Sequence, residues 1–349
     1  MTLLTIKRRT IVQALAAATL PVGLVGCATN ATPVAVVPVA PISDKPLQII
    51  SFGGGFNLPL WAARDHGFFT RHGLSTQLTI TANSRDLFSG MMADKYDIAI
   101  TAFDNILAYQ EGQSEVKFDP PSDFFAFMGS DDGFLSLVAS PQIKSFADLR
   151  GKTISVDSMS NGFSFALREM LIRNGLGKDD VQWALAGGTD RRFAALMEGK
   201  HAATMLRAPF DLQAKNRGFN QLATTREVVG PYMGIVGAAR RSWAQKNEAS
   251  TVAFIRAYCD AIRWLKLPSN RSAAVALLMT NVPGMTEQIA QQSCDLMLHP
   301  SSGFFSDVQL DAKGVAAVLA LRSKLSEPPR LLADANKYLD ERYWRLATR

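Results

Sequence analysis

From Pro46 onward, short apolar runs rich in β-branched residues alternate with amphipathic stretches. The run LQIISF, residues 47–52, predicts a strand, and 58–66 a helix with Pro59 in its first turn and Gly67 at its stop. Alternation over 74–80 predicts a second strand, 84–95 a helix with Ser84 at its N-cap, and 96–102 a buried strand followed by a helix from Phe103. This β-α-β-α-β-α order argues for a parallel sheet covered by helices.

The same order recurs after a strand-like run at 134–140. Strands are predicted at 152–158, 180–186 and 202–208, with helices at 162–174, 190–199 and from Pro209. A further strand at 232–239 leads into a region that reads as helical from Ser242 to Leu346, with breaks near Pro268, Pro283 and His299–Phe305. The architecture is therefore α/β, α/β, then α. Extended segments near 134–140 and 230–237 would join two such lobes around a cleft.

The N-terminus follows a different pattern. Lys7, Arg8 and Arg9 precede an uncharged, mostly apolar run, Ile11 to Gly26, that suits the h-region of a secretory signal. It ends in Leu24-Val25-Gly26-Cys27, which resembles a bacterial lipobox with Cys27 as the lipidated residue. The arginine pair before Thr10 also resembles a loose twin-arginine signal, so either the Sec or the Tat route fits. Residues 27–45 hold Pro33, Pro38 and Pro41, with Pro46 directly after them and no aromatic residue, and read as a tether that could hold a domain up to roughly 60 Å from a membrane. These features place the remainder at the periplasm or cell surface, anchored to a membrane. Of the formal charge of +6, the three basic residues at 7–9 leave +3 on the rest of the chain, too little to suggest nucleic acid. Cys259 and Cys294, both on predicted helices, read as buried free thiols.

Several longer segments carry a resemblance: FNLPLWAARDHGFFTRHGLSTQL, YDIAITAFDN, SFADLRGKTISVDSMSNGFSFALREML, GGTDRRFAALMEG, MLRAPFDLQAKNRGF and LALRSKL with KYLDERYW. In this order and spacing they resemble the solute-binding proteins of ABC importers for nitrate, sulfonates, taurine and thiamine-precursor pyrimidines, from about Leu47 to Trp344. The resemblance implies a two-lobed periplasmic-binding-protein fold of type II, the Venus-flytrap arrangement, with the C-terminal helical region belonging to the first lobe. On that basis residues 46–137 and 233–349 form lobe 1 and 138–232 lobe 2, after a signal peptide at 1–26 and the linker at 27–45. It further implies a monomer that hands a small solute to a permease and its ATPase.

Other chemistries lack their signatures. The triplet Gly53-Gly54-Gly55 is not a dinucleotide fingerprint, and Gly151-Lys152-Thr153 has Phe146 where a phosphate loop needs glycine. His66, His72, His201 and His299 show no metal-binding spacing, and no paired cysteines occur. Gly162-Phe163-Ser164-Phe165-Ala166 only approximates a nucleophile elbow, and Asp131-Asp132 and Asp179-Asp180 read as solvated loop charges. No catalytic residue, cofactor or metal is therefore expected. Fungal pyrimidine synthases resemble this fold, but their cysteine-rich motif is missing. An enzyme of pyrimidine metabolism and a ligand-sensing receptor module remain the alternatives to transport.

Ligands of open α/β sheets lie beyond the carboxyl ends of strands, against helix N-termini. The candidate ligand residues sit in those loops: Gly54, Gly55, Phe56 and Asn57; Ser84; Phe103, Asp104 and Asn105; Ser158, Ser160, Asn161 and Phe163; Thr189; Arg207; and Tyr232 at the second crossing. The glycines would admit backbone to the ligand, the asparagines would donate and accept, and the phenylalanines would stack. Arg207 would either clamp an acid or pair with Asp211 or Asp157.

Overall fold

The computed structural model describes residues 40–160 and 162–349. Ten strands form two five-stranded sheets: β1 (Leu47–Phe52), β2 (Thr76–Thr81), β3 (Ile98–Ala102), β4 (Phe124–Gly129) and β10 (Ile235–Arg240) in one, and β5 (Ser136–Ala139), β6 (Thr153–Val156), β7 (Gln182–Leu185), β8 (Ala203–Leu206) and β9 (Asn220–Thr224) in the other. The orders are β2-β1-β3-β10-β4 and β7-β6-β8-β5-β9. Each sheet has one strand, β10 or β5, that arrives straight from a crossing segment and runs antiparallel to both neighbours. The sheets are therefore mixed, where repetition of β-α units alone predicted parallel ones.

Two strands escape the hydrophobic pattern for opposite reasons. All of FFAFMG in β4 is buried, so no alternation marks it, whereas β9 is a half-exposed edge strand of mostly polar residues. In β1, β3 and β4 alike the period of two sorts side chains between two cores. Ile49, Ile98 and Phe125 enter one cluster while Ile50, Ala99 and Phe124 enter the other. Both clusters continue into the second sheet, through Val138 and Leu206 in the first and Leu137 and Ile154 in the second.

The C-terminal half is helical as its pattern predicts. The 19-residue helix Glu248–Lys266 buries Phe254, Tyr258 and Ile262 in the first cluster beside Leu58 and Trp61 of the helix Leu58–Asp65. The helix Ala312–Leu325 lies in the second, where Val315, Val318 and Leu319 share the cluster with Ile106 on one side and Phe165 on the other. Cys259 and Cys294 are free and buried, and burial pushes both thiols up to about 11. Cys27 and the segment 1–39 lie outside the described residues; from Ile42, whose N–H donates to Gly73 O at 2.9 Å, the chain lies on the fold.

Candidate functional site

A cavity opens between the two sheets at the carboxyl ends of β1, β3, β6, β7 and β8. It encloses about 520 Å³ of space free of protein atoms, the open mouth included. Phe52 and Phe56 enter from the first sheet's side, Phe163, Thr189 and Met205 from the second's. Asn105, Asp157, Arg192 and Arg207 supply the amide and charged groups of the wall.

Arg207 follows β8 and is 1% exposed. Its Nη2 donates to Asp131 Oδ2 at 2.9 Å, and its guanidinium lies 4.4 Å from the centre of the Phe56 ring. The partner expected at Asp211 or Asp157 is thus Asp131, which belongs to a pair predicted to be solvated. Asp131 is instead fully buried in the first crossing, where its Oδ1 also accepts from Gly133 N at 2.8 Å. A buried carboxylate needs such partners to stay charged. Arg207 keeps Nε and Nη1 without a partner among the described residues, two donors of a cavity-lining guanidinium.

Acceptors face them from another part of the wall. Asn105 donates its amide to Thr101 Oγ1 at 3.0 Å, while its buried Oδ1 has no partner among the described residues. A Cβ placed on Gly162 would stand 3.6 Å from Asn105 Oδ1 and 4.0 Å from Asp157 Oδ2, so these two acceptors converge on one spot. Gly162 has φ +67°, which favours glycine and keeps that spot open. Burial pushes the Asp157 carboxyl above its ordinary value, against the opposing charge of Arg192 and a hydrogen bond with Ser84. Arg192 is itself a brace: its Nη1 donates to Gly187 O at 2.6 Å, and its Nη2 to Met205 O at 3.2 Å and Thr189 Oγ1 at 3.3 Å.

Of the residues chosen from sequence, Phe56, Asn105, Phe163, Thr189 and Arg207 line this cavity. The others have different places. Asn57 is fully buried; its amide donates to Phe52 O and Gly54 O, and its Oδ1 accepts from Ser51 Oγ, so it braces the turn. Gly54 and Gly55 do not line the cavity. A Cβ on Gly55 would lie 3.0 Å from Ala208 O and from Pro209 Cδ, which makes it a point of close approach between the two halves. Phe103 is core, Asp104 is bound by Arg322 at 2.8 Å, and Tyr232 is buried 6.3 Å from the Phe163 ring. Ser158 Oγ lies 3.3 Å from Ser160 Oγ, and Ser160 O accepts from Arg322 at 2.7 Å. Ser84 begins a helix whose N-cap is Asn83, which accepts from Asp86 N. Asn161 lies outside the described residues.

Sequence reasoning passed over Phe52, Asp157 and Arg192. Asp157 lies next to last in the strand predicted at 152–158, at the carboxyl end where ligands of such sheets lie. Arg192 had a subtler mark, since Arg191 and Arg192 adjoin on one helix but only the second faces inward. Among the described residues no cluster of His, Cys, Asp or Glu could hold a metal ion, and no helix is long and apolar enough to cross a membrane.

Two α/β halves with the strand order above, enclosing a cleft, define the periplasmic-binding-protein fold. The nitrate-binding protein NrtA of Synechocystis has this fold with a TM-score of 0.72 at 15% identity, over 89% of each chain. The alkanesulfonate-binding protein SsuA of Xanthomonas axonopodis pv. citri, bound to MOPS, gives 0.66 at 16% identity, over 84% of this chain and 96% of its own. A Candida albicans protein with the generic periplasmic binding protein fold gives 0.66 at 16%, over 85% and 96%. The profile of the NMT1/THI5 like family matches residues 57–268, more than half of the chain, and the protein belongs to that family. No curated protein sequence matches it.

Proposed function

We propose that the protein is the extracytoplasmic solute-binding component of an ABC importer, which captures a small organic solute between two lobes and delivers it to a permease. Residues 46–137 with 233–349 would form one lobe and 138–232 the other, with the cavity at their junction. The observation that carries the reading is that free Arg207 donors and the convergent acceptors Asn105 Oδ1 and Asp157 Oδ2 line one cavity. Buried polar atoms left without partners are costly, and a ligand that supplies both an acceptor and a donor satisfies them together. The phenyl rings of Phe52, Phe56 and Phe163 favour a flat body.

Charge narrows the ligand further. Arg207 is already paired with Asp131, and Arg192 faces Asp157, so the wall does not call for a compensating anion. Within the range of sulfonates, carboxylates and pyrimidine-like solutes, this favours an uncharged or zwitterionic ring compound. The rest of the proposal is a monomer, held at a membrane by lipid on Cys27 after export by Sec or Tat, that binds without turnover.

A thermal-shift panel of pyrimidines, aromatic carboxylates, sulfonates and nitrate tests the reading. A pyrimidine-like or zwitterionic member should raise Tm increasingly with concentration above its Kd and be recovered unchanged. Silence across the panel, or chemical conversion of the ligand, would count against it.

A further inference from the structure

A second cavity, separate from the one between the strand ends, lies where residues 111–117, 159–178 and 322–330 meet. It contains about 1270 Å³ of space free of protein atoms, open solvent included, and its wall is strongly basic. We infer that it is a binding site for a small dianionic oxyanion, inorganic phosphate or a phosphomonoester.

The charge is unevenly matched. Arg322, fully buried at the back of the wall, is neutralised by Asp104. Glu327 serves both Arg168 and Lys178, at 3.3 and 2.7 Å, and does so through the single oxygen Oε1. Glu111 is likewise shared by Arg330 and Lys337. Lys117 has no ion-pair partner among the described residues. Each shared carboxylate leaves one cation uncompensated, and Lys117 adds another.

The geometry suits an oxyanion better than diffuse counter-ions. Arg168 has only 11% of its side chain exposed, and its Nε has no partner among the described residues. Its guanidinium and that of Arg322 lie 5.4 and 4.5 Å from the centre of the same Phe165 ring, so an apolar face holds both planes. A planar fork fixed in this way favours bidentate contact with a tetrahedral oxyanion. Glu327, by contrast, is 61% exposed at the rim and acts as a stand-in anion that a ligand can displace. The hydrogen bond and charge of Lys178, with Arg168 behind it, hold the Glu327 carboxyl below its ordinary value, so it competes while ionised.

Titration calorimetry of the purified protein with inorganic phosphate at neutral pH and low ionic strength tests the site. We expect saturable binding at one site, tightened about tenfold by Glu327→Gln, which frees Arg168 and Lys178. Lys178→Ala should weaken it about fivefold, while Lys200→Ala, which removes a cation elsewhere, should leave it unchanged. The proposal is overturned by the absence of saturable binding below about 10 mM, or by an affinity indifferent to Glu327→Gln. Equal weakening by Lys200→Ala would overturn it too, as would binding to phosphatidylglycerol vesicles without binding to free phosphate. The arms need no cleft ligand, so the result is independent of the transport reading.

Discussion

Asp157 carries its carboxylate into the cavity at a cost that a ligand can reverse. Burial raises its pKa above the ordinary 3.8, so the carboxyl takes up a proton more readily in the folded protein than in the unfolded chain. Its contribution to stability is therefore present below 3.8 and is lost as pH rises through the raised value. A ligand N–H bonded to the carboxylate favours the ionised form instead. Affinity should accordingly rise with pH up to the raised value of the ligand-free protein, which lies above 3.8, and level off beyond it. Calorimetric Kd values against pH, for wild type and Asp157→Asn, check this, and an identical slope in both proteins would refute the assignment. Arg207 shows the complementary lesson: its residue type and its place after a strand point to the cleft, but its partner Asp131, 76 residues away, has no local mark.

Among the elements, the turn after β1 changes meaning most. Its glycines suggest backbone contact with a ligand, yet a Cβ on Gly53 would stand 3.2 Å from the Asp190 carboxyl, and one on Gly55 would meet the Ala208 carbonyl and Pro209 across the cleft. On the far rim Gly188 N–H donates to Ala82 O at 2.9 Å, and a Cβ on Gly187 would fall 2.8 Å from that carbonyl. These glycines let the halves meet. Gly55→Ala should therefore weaken ligand binding about tenfold, by opposing closure, with the Tm of the ligand-free protein little changed. Unchanged affinity, or a collapse of Tm without ligand, would show that the glycine serves only its own turn. The helix and strand pattern around the turn was legible because it is local, whereas β4 was hidden by its burial on both faces and β9 by its polar edge.

For the molecule as a whole, the C-terminal segment is clasped to the end of the helix Phe103–Gln110 by ionic contacts as well as by apolar packing. Glu111, with 1% of its side chain exposed, receives Lys337, Arg330 and the Tyr338 hydroxyl. Burial alone would raise its pKa, but the hydrogen bonds from Lys337 and Tyr338 and the two cations hold it below 4.5. A depressed pKa contributes stability that is present above 4.5 and lost as pH falls through the folded value. Glu111→Gln should destabilise the protein at pH 7 by about 1–3 kcal/mol, and the gap should shrink on acidification below 4.5. Urea midpoints measured across that range decide it; a gap constant with pH would remove Glu111 from the acid response.

The succession of elements, the two rounds of β-α units, the helical C-terminal region and the loops from which a cleft would be built are legible in the chain alone. Those follow from hydrophobic period, caps and breakers, which act over a few residues. The folded arrangement set the strand orders, the antiparallel entry of β5 and β10, the Arg207–Asp131 pair and the shared core beneath the helix Ala312–Leu325. It also decided which loop residues face the cavity, because side chains a few positions apart on one loop can brace a turn, fill a core or reach a ligand. That choice depends on what lies opposite in space, and the opposite wall is contributed by chain far away in sequence.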